Sequence, residues 1–175
     1  MQIFLSPKQL HLTILRLAHH ITENYSSLEN LVFIGIQPRG VKFSDRLIAA
    51  IRQIRPNEAI QYGILDITFY RDDFRKKELI PNRTNIDFII EEKNVILVDD
   101  VLYTGRTIRA GLDAMLAFGR PKDVELLVLV DRRFSRHVPI QAKYTGITID
   151  SISSQNVKVE WTETDKKDRV TLIDK

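Results

Sequence analysis

The chain has no cysteine among its 175 residues, which excludes a disulfide framework and any thiolate chemistry. No apolar run approaches the ~18 residues needed to span a membrane. The opening MQIFLSPKQL has neither a basic stretch nor a long apolar segment, so it is not a secretory signal, and the expected location is the cytoplasm. Neither GxxxxGK[ST] nor GxGxxG occurs, which removes the P-loop and the dinucleotide fingerprint as phosphate-binding devices. The four histidines show no metal-ligand spacing and no nearby third ligand, so a structural metal is not expected. There is no repeat, linker or low-complexity segment. Strong charge of one sign is also missing: 26 basic against 23 acidic residues leave +3, compatible with phosphorylated ligands and only weakly suggestive of nucleic acid.

What remains is a length that fits one domain, residues 1–175, able to bury roughly 70% of its extended-chain surface. Ser6 and Gln9 form a capping box with Pro7 at the first helical position, and Leu10, Ile14, Leu17, Ala18 and Ile21 carry an amphipathic helix to about Asn24. LVFIGI, from Leu31 to Ile36, is all apolar and so reads as a strand covered on both faces. Phe43, Leu47, Ile48, Ile51 and Ile54 predict a second helix after QPRG, and Tyr62 to Tyr70 a further strand. Between Arg71 and Asn94 the pattern fails, as expected of a mobile loop or flap. Buried strands follow at Val95 to Val98 and Val124 to Val130, separated by a helix from Arg106 to Phe118 that Gly119 and Pro121 close. The remainder after Val130, with QNVKVEW and DRVTLI, reads as short alternating strands. Apolar strands alternating with helices imply an α/β fold with a mostly parallel sheet flanked by helices.

The stretch VILVDDVLYTGRT, Val95 to Thr107, carries the chemistry. In an open α/β sheet, ligands bind beyond the carboxyl ends of the strands, and Asp99 and Asp100 fall at such an end. The following turn enters a helix directly, and a helix N-terminus preceded by glycine and flanked by hydroxyls is an anion site. Thr104 and Thr107 add hydroxyl donors, and Gly105 lets the backbone come close. One loop therefore offers acceptors for sugar hydroxyls at its start and a phosphate cradle at its end, which matches a ribose 5-phosphate.

VILVDDVLYTGRT resembles the phosphoribosyl-pyrophosphate (PRPP) motif of type I phosphoribosyltransferases. YRDD together with VLYTGRT resembles the PyrR family, whose members are uracil phosphoribosyltransferases that also regulate pyrimidine operons by binding messenger RNA. The likeness extends to LRLAHHI, IGIQPRG, DITFYRDD, TGRTIRAGLDA and LVLVDRR. It implies the type I fold with a small hood and a flexible flap, and transfer of a phosphoribosyl group from PRPP to uracil, giving UMP and diphosphate. It makes Val101, Leu102, Tyr103 and Arg106 part of the PRPP-binding segment with Asp99, Asp100, Thr104, Gly105 and Thr107. Pro38, Arg39 and Gly40 become the pyrophosphate loop, with the Pro38–Arg39 peptide expected to be cis. Arg71 is placed to meet diphosphate from the flap, and Arg132 and Val157 at the base. Mg2+ is implied through PRPP, with Asp99 and Asp100 close to it, as is a homodimer or higher homo-oligomer. For an mRNA leader the resemblance leaves Arg16, His19 and Arg136, but Gln141 and Ile147 stand where relatives carry Arg and Lys, so the regulator role is expected to be the weaker. A purine base is the remaining alternative to uracil.

Overall fold

A computed structural model describes residues 1–72, 80–152 and 154–174. In chain order its elements are β1 (Gln2–Leu5), α1 (Pro7–Asn24), β2 (Leu31–Ile36), α2 (Arg39–Ile54), β3 (Gln61–Leu65), β4 (Asn94–Leu102), α3 (Arg106–Met115), β5 (Asp123–Arg133), β6 (Tyr144–Asp150), β7 (Gln155–Glu160), α4 (Thr162–Asp165) and β8 (Arg169–Asp174). A five-stranded sheet runs in the order β3-β2-β4-β5-β6, every neighbouring pair parallel. A second, antiparallel sheet of three strands, β1-β8-β7, forms the hood.

The all-apolar strands are explained by what covers them. Phe33 of β2, Ile96 and Val98 of β4 and Leu127 and Leu129 of β5 pack with Leu10, Leu17, Phe43 and Leu47 of α1 and α2. Their strand neighbours Val32, Ile34, Val95, Leu97 and Val128 turn to the other face, against Ile108, Ala110 and Ala114 of α3. The first of these cores continues into the hood through Val157, Val159, Trp161, Val170 and Leu172. The α1 cap is as the sequence predicts: Gln9 N–H donates to Ser6 Oγ and Ser6 N–H to Gln9 Oε1, with Pro7 in the first turn. No helix among the described residues is long and apolar enough to cross a membrane.

Several boundaries differ from the sequence reading. The strand expected over Tyr62 to Tyr70 stops at Leu65, because the Asp66 carboxylate accepts from Thr68 N–H and Thr68 Oγ1 and bends the chain into a 3₁₀ turn at Thr68–Tyr70. The helix beginning at Arg106 ends at Met115 and closes through a 3₁₀ turn before Gly119, whose φ is 127°. The second helix starts at Arg39, four residues ahead of Phe43, so QPRG leads straight into its first turn. Strand β1 was not expected, and β6 falls in the remainder that was read only as short alternating strands. Within β6, a Cβ on Gly146 would lie 2.5 Å from the Leu129 carbonyl, so the residue marks a close approach of strands. Of the expected flap, residues 73–79 lie outside the described residues. Residues 80–93 are partly packed: Asn85 and Ile64 exchange backbone hydrogen bonds of 2.8 and 2.9 Å, and Ile90 is fully buried.

Candidate functional site

Strand β4 runs on past the aspartate pair to Leu102, so Asp99 and Asp100 belong to the strand rather than to the turn after it. Both are buried, at 6% and 8% exposure, which is why burial governs their chemistry. Burial raises Asp99 well above the ordinary carboxylate range, and the charge of Asp100 adds to the effect while Arg71 opposes it. Burial also pushes Asp100 up to about 6, against the pull of Arg39 and the Val101 N–H. Gly40, in the first turn of α2, is what lets these elements meet. A Cβ on it would lie 2.7 Å from the Val98 carbonyl and 3.1 Å from Asp99 Cα, both backbone atoms that cannot swing aside.

Val101 to Thr107 then turns into α3. Leu102 is buried in the α3-side core, and Gly105 takes φ 87° at the N-cap, the left-handed region that favours glycine. A cavity of about 270 Å³ opens here, lined by Arg71, Asp72 and residues 101–108. The loop is braced from behind by a segment thirty residues further on. His137 and Val138 N–H donate to the Thr104 carbonyl at 2.9 and 3.2 Å. Arg136 donates to the carbonyls of Tyr103 at 2.5 Å, Arg132 at 3.0 Å and Ile140 at 3.1 Å, and pairs with Asp131. No sequence signal marks this brace, because it joins residues distant in the chain.

The other expected residues fall as follows. Arg39 lies in the first turn of α2, its Nη1 donating to the Val159 carbonyl at 2.6 Å and lying 3.6 Å from Asp165, so it bridges to the hood. The cis peptide is Gln37–Pro38, one residue before the expected Pro38–Arg39; a proline nitrogen is the ordinary carrier of a cis bond. Arg132 is buried and stacks over the Tyr103 ring at 3.9 Å, with Nε donating to Ser151 Oγ at 2.8 Å and Nη2 to the Gln155 carbonyl at 3.0 Å. It ties the Val101 to Thr107 loop, through Tyr103, to the segment of Ser151 and Gln155 that leads into the hood. Val157 is buried in the core that runs into the hood. Tyr103 lines both the 270 Å³ cavity and a second one of about 520 Å³, whose other walls include Phe134, His137, Ser151, Ile152 and Gln155. Arg16 donates to the Gly146 carbonyl, and His19 is exposed on α1. Two residues given no site role from the sequence also reach this loop: Arg109 of α3 and Asp72 of the YRDD stretch meet at 2.7 Å.

The arrangement offers buried acceptors, a helix N-terminus with a left-handed glycine, and a second helix N-terminus at Arg39, all at the carboxyl end of parallel strands. Residues 6–164 match the model of the phosphoribosyl transferase domain. A Bacillus cereus (strain AH820) protein named bifunctional protein PyrR is 42% identical over 177 aligned positions, spanning 99% of this chain and 97% of that protein. Among solved structures, a hypoxanthine phosphoribosyltransferase of Trypanosoma cruzi superposes with a TM-score of 0.76 at 19% identity, covering 99% of this chain and 97% of that one. A hypoxanthine-guanine phosphoribosyltransferase of Bacillus anthracis superposes with a TM-score of 0.73 at 20% identity and the same coverage. At these identities the structural likeness establishes the fold.

Proposed function

The chain belongs to the phosphoribosyltransferase domain family, and from that premise we propose that it joins uracil to PRPP, releasing diphosphate and forming UMP. The observation that carries this reading is the buried Asp99–Asp100 pair leading without interruption into the Gly105 cradle. Asp99 and Asp100 accept from the ribose 2- and 3-hydroxyls and favour the positive charge that grows on the sugar ring as the C1–diphosphate bond breaks. Thr104, Gly105, Thr107 and the N-terminus of α3 hold the 5-phosphate. Pro38, Arg39 and Gly40, at the N-terminus of α2, receive the diphosphate with Arg71. Uracil N1 forms the new bond to C1 as the C1–diphosphate bond breaks, its proton passing to the departing diphosphate, with the base against Tyr103 and the wall that Arg132 supports. No nucleophilic side chain is needed.

Among the described residues no group of three or more His, Cys, Asp or Glu could hold a metal by itself. Two carboxylates that share an ion with substrate oxygens suit Mg2+, which keeps waters and binds through one or two carboxylates plus phosphates. Asp99 and Asp100 would stand nearest to it, and its contribution is to neutralise diphosphate charge. We read the chain as one catalytic unit over residues 1–175, cytoplasmic and homo-oligomeric. Product analysis with PRPP, Mg2+ and a panel of free bases tests the assignment. UMP formed from uracil alone supports it, a purine nucleotide redirects it, and no product from any base ends it.

A second reading is favoured by the word bifunctional in the relatives' name. It makes the chain a UMP-sensing regulator that binds an mRNA leader. Against it, Arg16 and Arg136 already donate to backbone carbonyls, and Gln141 and Ile147 supply no charge for phosphate contacts. Filter binding of the operon leader with and without UMP decides this reading, and a sub-micromolar UMP-dependent affinity over a scrambled hairpin would rank it equal to the enzyme.

A further inference from the structure

Asp72 sits over the cradle and holds two of its cations. Its Oδ2 accepts from Arg106 Nη1 at 2.5 Å and from Arg109 Nη2 at 2.7 Å. Arg106 opens α3 and Arg109 follows one turn along, so both guanidiniums stand at the positive end of the helix, beside Thr104 and Thr107. The carboxylate is thus placed where an incoming 5-phosphate would draw most from them. Its side chain is 33% exposed, so it can leave without disturbing the core. The preceding residue, Arg71, lines the same cavity and brings a cation toward Asp99. Two adjacent residues therefore set a positive group near the buried carboxylates and a negative group on the cradle arginines. That is the charge order of the phosphoribosyl group itself, cationic at the sugar and anionic at the phosphate.

We propose that Asp72 is the resident anion of the cradle, a carboxylate that the 5-phosphate of a ligand displaces from Arg106 and Arg109. The inference rests on the phosphoribosyl reading of the site. A phosphate carries close to two charges and three strong acceptor oxygens at neutral pH, so it wins the exchange against a single carboxylate. Asp72 returns to the arginines as the product leaves, which prevents the cradle from retaining its nucleotide. A nucleoside, lacking the 5-phosphate, neither displaces Asp72 nor feels its absence.

Titration calorimetry of the full chain with ribose 5-phosphate, UMP and uridine tests the exchange, using Asp72→Asn, Asp72→Ala and Thr107→Val. Removing the competing charge in either Asp72 variant should tighten ribose 5-phosphate and UMP by about 3–10-fold, the range expected for losing exposed ion pairs, and leave uridine unchanged. Thr107→Val should weaken both phosphorylated ligands. Unchanged or weaker phosphate affinity in both Asp72 variants, with Thr107→Val still weakening it, would overturn the exchange: Asp72 would then be a template that orients the arginines. Failure of the wild-type chain to bind ribose 5-phosphate, with no effect of Thr107→Val on any ligand, would instead strike the phosphoribosyl reading and the exchange with it.

Discussion

Among the described residues, the carboxylates around the hood and those of β4 are treated in opposite ways. Beneath the hood, Glu160 accepts from Arg169 and lies near Lys158, and both hold it below the usual carboxylate range. Arg46 chelates Glu163 and Asp168, each contact at 2.8 Å, while its guanidinium covers Trp161 at 4.9 Å. Arg46 lowers Glu163; burial pushes Asp168 upward, but the hydrogen bonds from Arg46 and the Thr162 N–H outweigh it, so it too ends low. At the end of β4 the balance reverses, and burial holds Asp99 and Asp100 high despite Arg71 and Arg39. The hood carboxylates are matched to arginines and hold the fold together. The β4 pair is kept at a cost to stability, which on the proposed phosphoribosyl reading a ligand that develops positive charge offsets.

The comparison is broken most directly at Asp100. Asp100→Asn should cut PRPP turnover by on the order of 10²–10³-fold, the effect of deleting one preorganised charge-stabilising group. The same variant should melt higher than wild type at pH 8. A carboxylate whose folded pKa is raised to about 6 contributes stability only at low pH and loses it as pH rises through that value. The neutral side chain removes the penalty, on the order of 1–3 kcal/mol. Thermal melts at pH 4 and pH 8 measure it: the gain should appear at pH 8 and be nearly absent at pH 4, and a lower melt at pH 8 would place Asp100 with the hood group.

Next in size is the pH dependence of wild-type kcat/KM for PRPP. If ionised Asp100 is the working form, kcat/KM rises by up to about tenfold per pH unit below 6 as that carboxyl loses its proton. A flat profile between pH 5 and 7 would contradict the raised value.

On the hood side, Arg46→Ala should cost about 1–3 kcal/mol and lower the melting temperature by roughly 3–8 °C, because it leaves Asp168 half-buried and uncovers Trp161. Turnover should stay near wild type. Depressed carboxylates contribute stability above their unfolded pKa and lose it as pH falls through the folded value, so the difference from wild type should shrink below pH ~4. The smallest effect belongs to Arg133→Ala. Its pair with Asp150 is bidentate at 2.6 and 2.7 Å, yet both side chains are more than half exposed. Geometry without burial should give no measurable change in melting temperature.

The parts of this protein that sequence alone determined are those in which neighbouring residues supply their own physics. Ser6, Pro7 and Gln9 cap α1 through contacts three residues apart. The apolar run of β2 announces a strand covered on both faces, and the turn glycine Gly105 between Thr104 and Thr107 announces the start of a helix at Arg106. The parallel order of the main strands follows from alternation with helices, and the match of residues 6–164 to one family agrees with the motif.

Tertiary structure decided what depends on partners far along the chain. Strand β4 continues through Asp99 and Asp100 because β5 pairs with it out to Asp131, and no local pattern shows a ladder partner. The bounds of strand β6 come from its pairing with β5, where Gly146 lets it approach Leu129, and β1 becomes a strand only beside β8. Arg132 and Arg136, read from sequence as ligand-facing cations, have their donors drawn by carbonyls and a hydroxyl that the fold brings within 3.0 Å. A charged side chain advertises only its charge. Which counter-charge or acceptor meets it, and whether water remains to screen the pair, is set by the packing around it, as the opposite fates of Asp100 and Asp168 show.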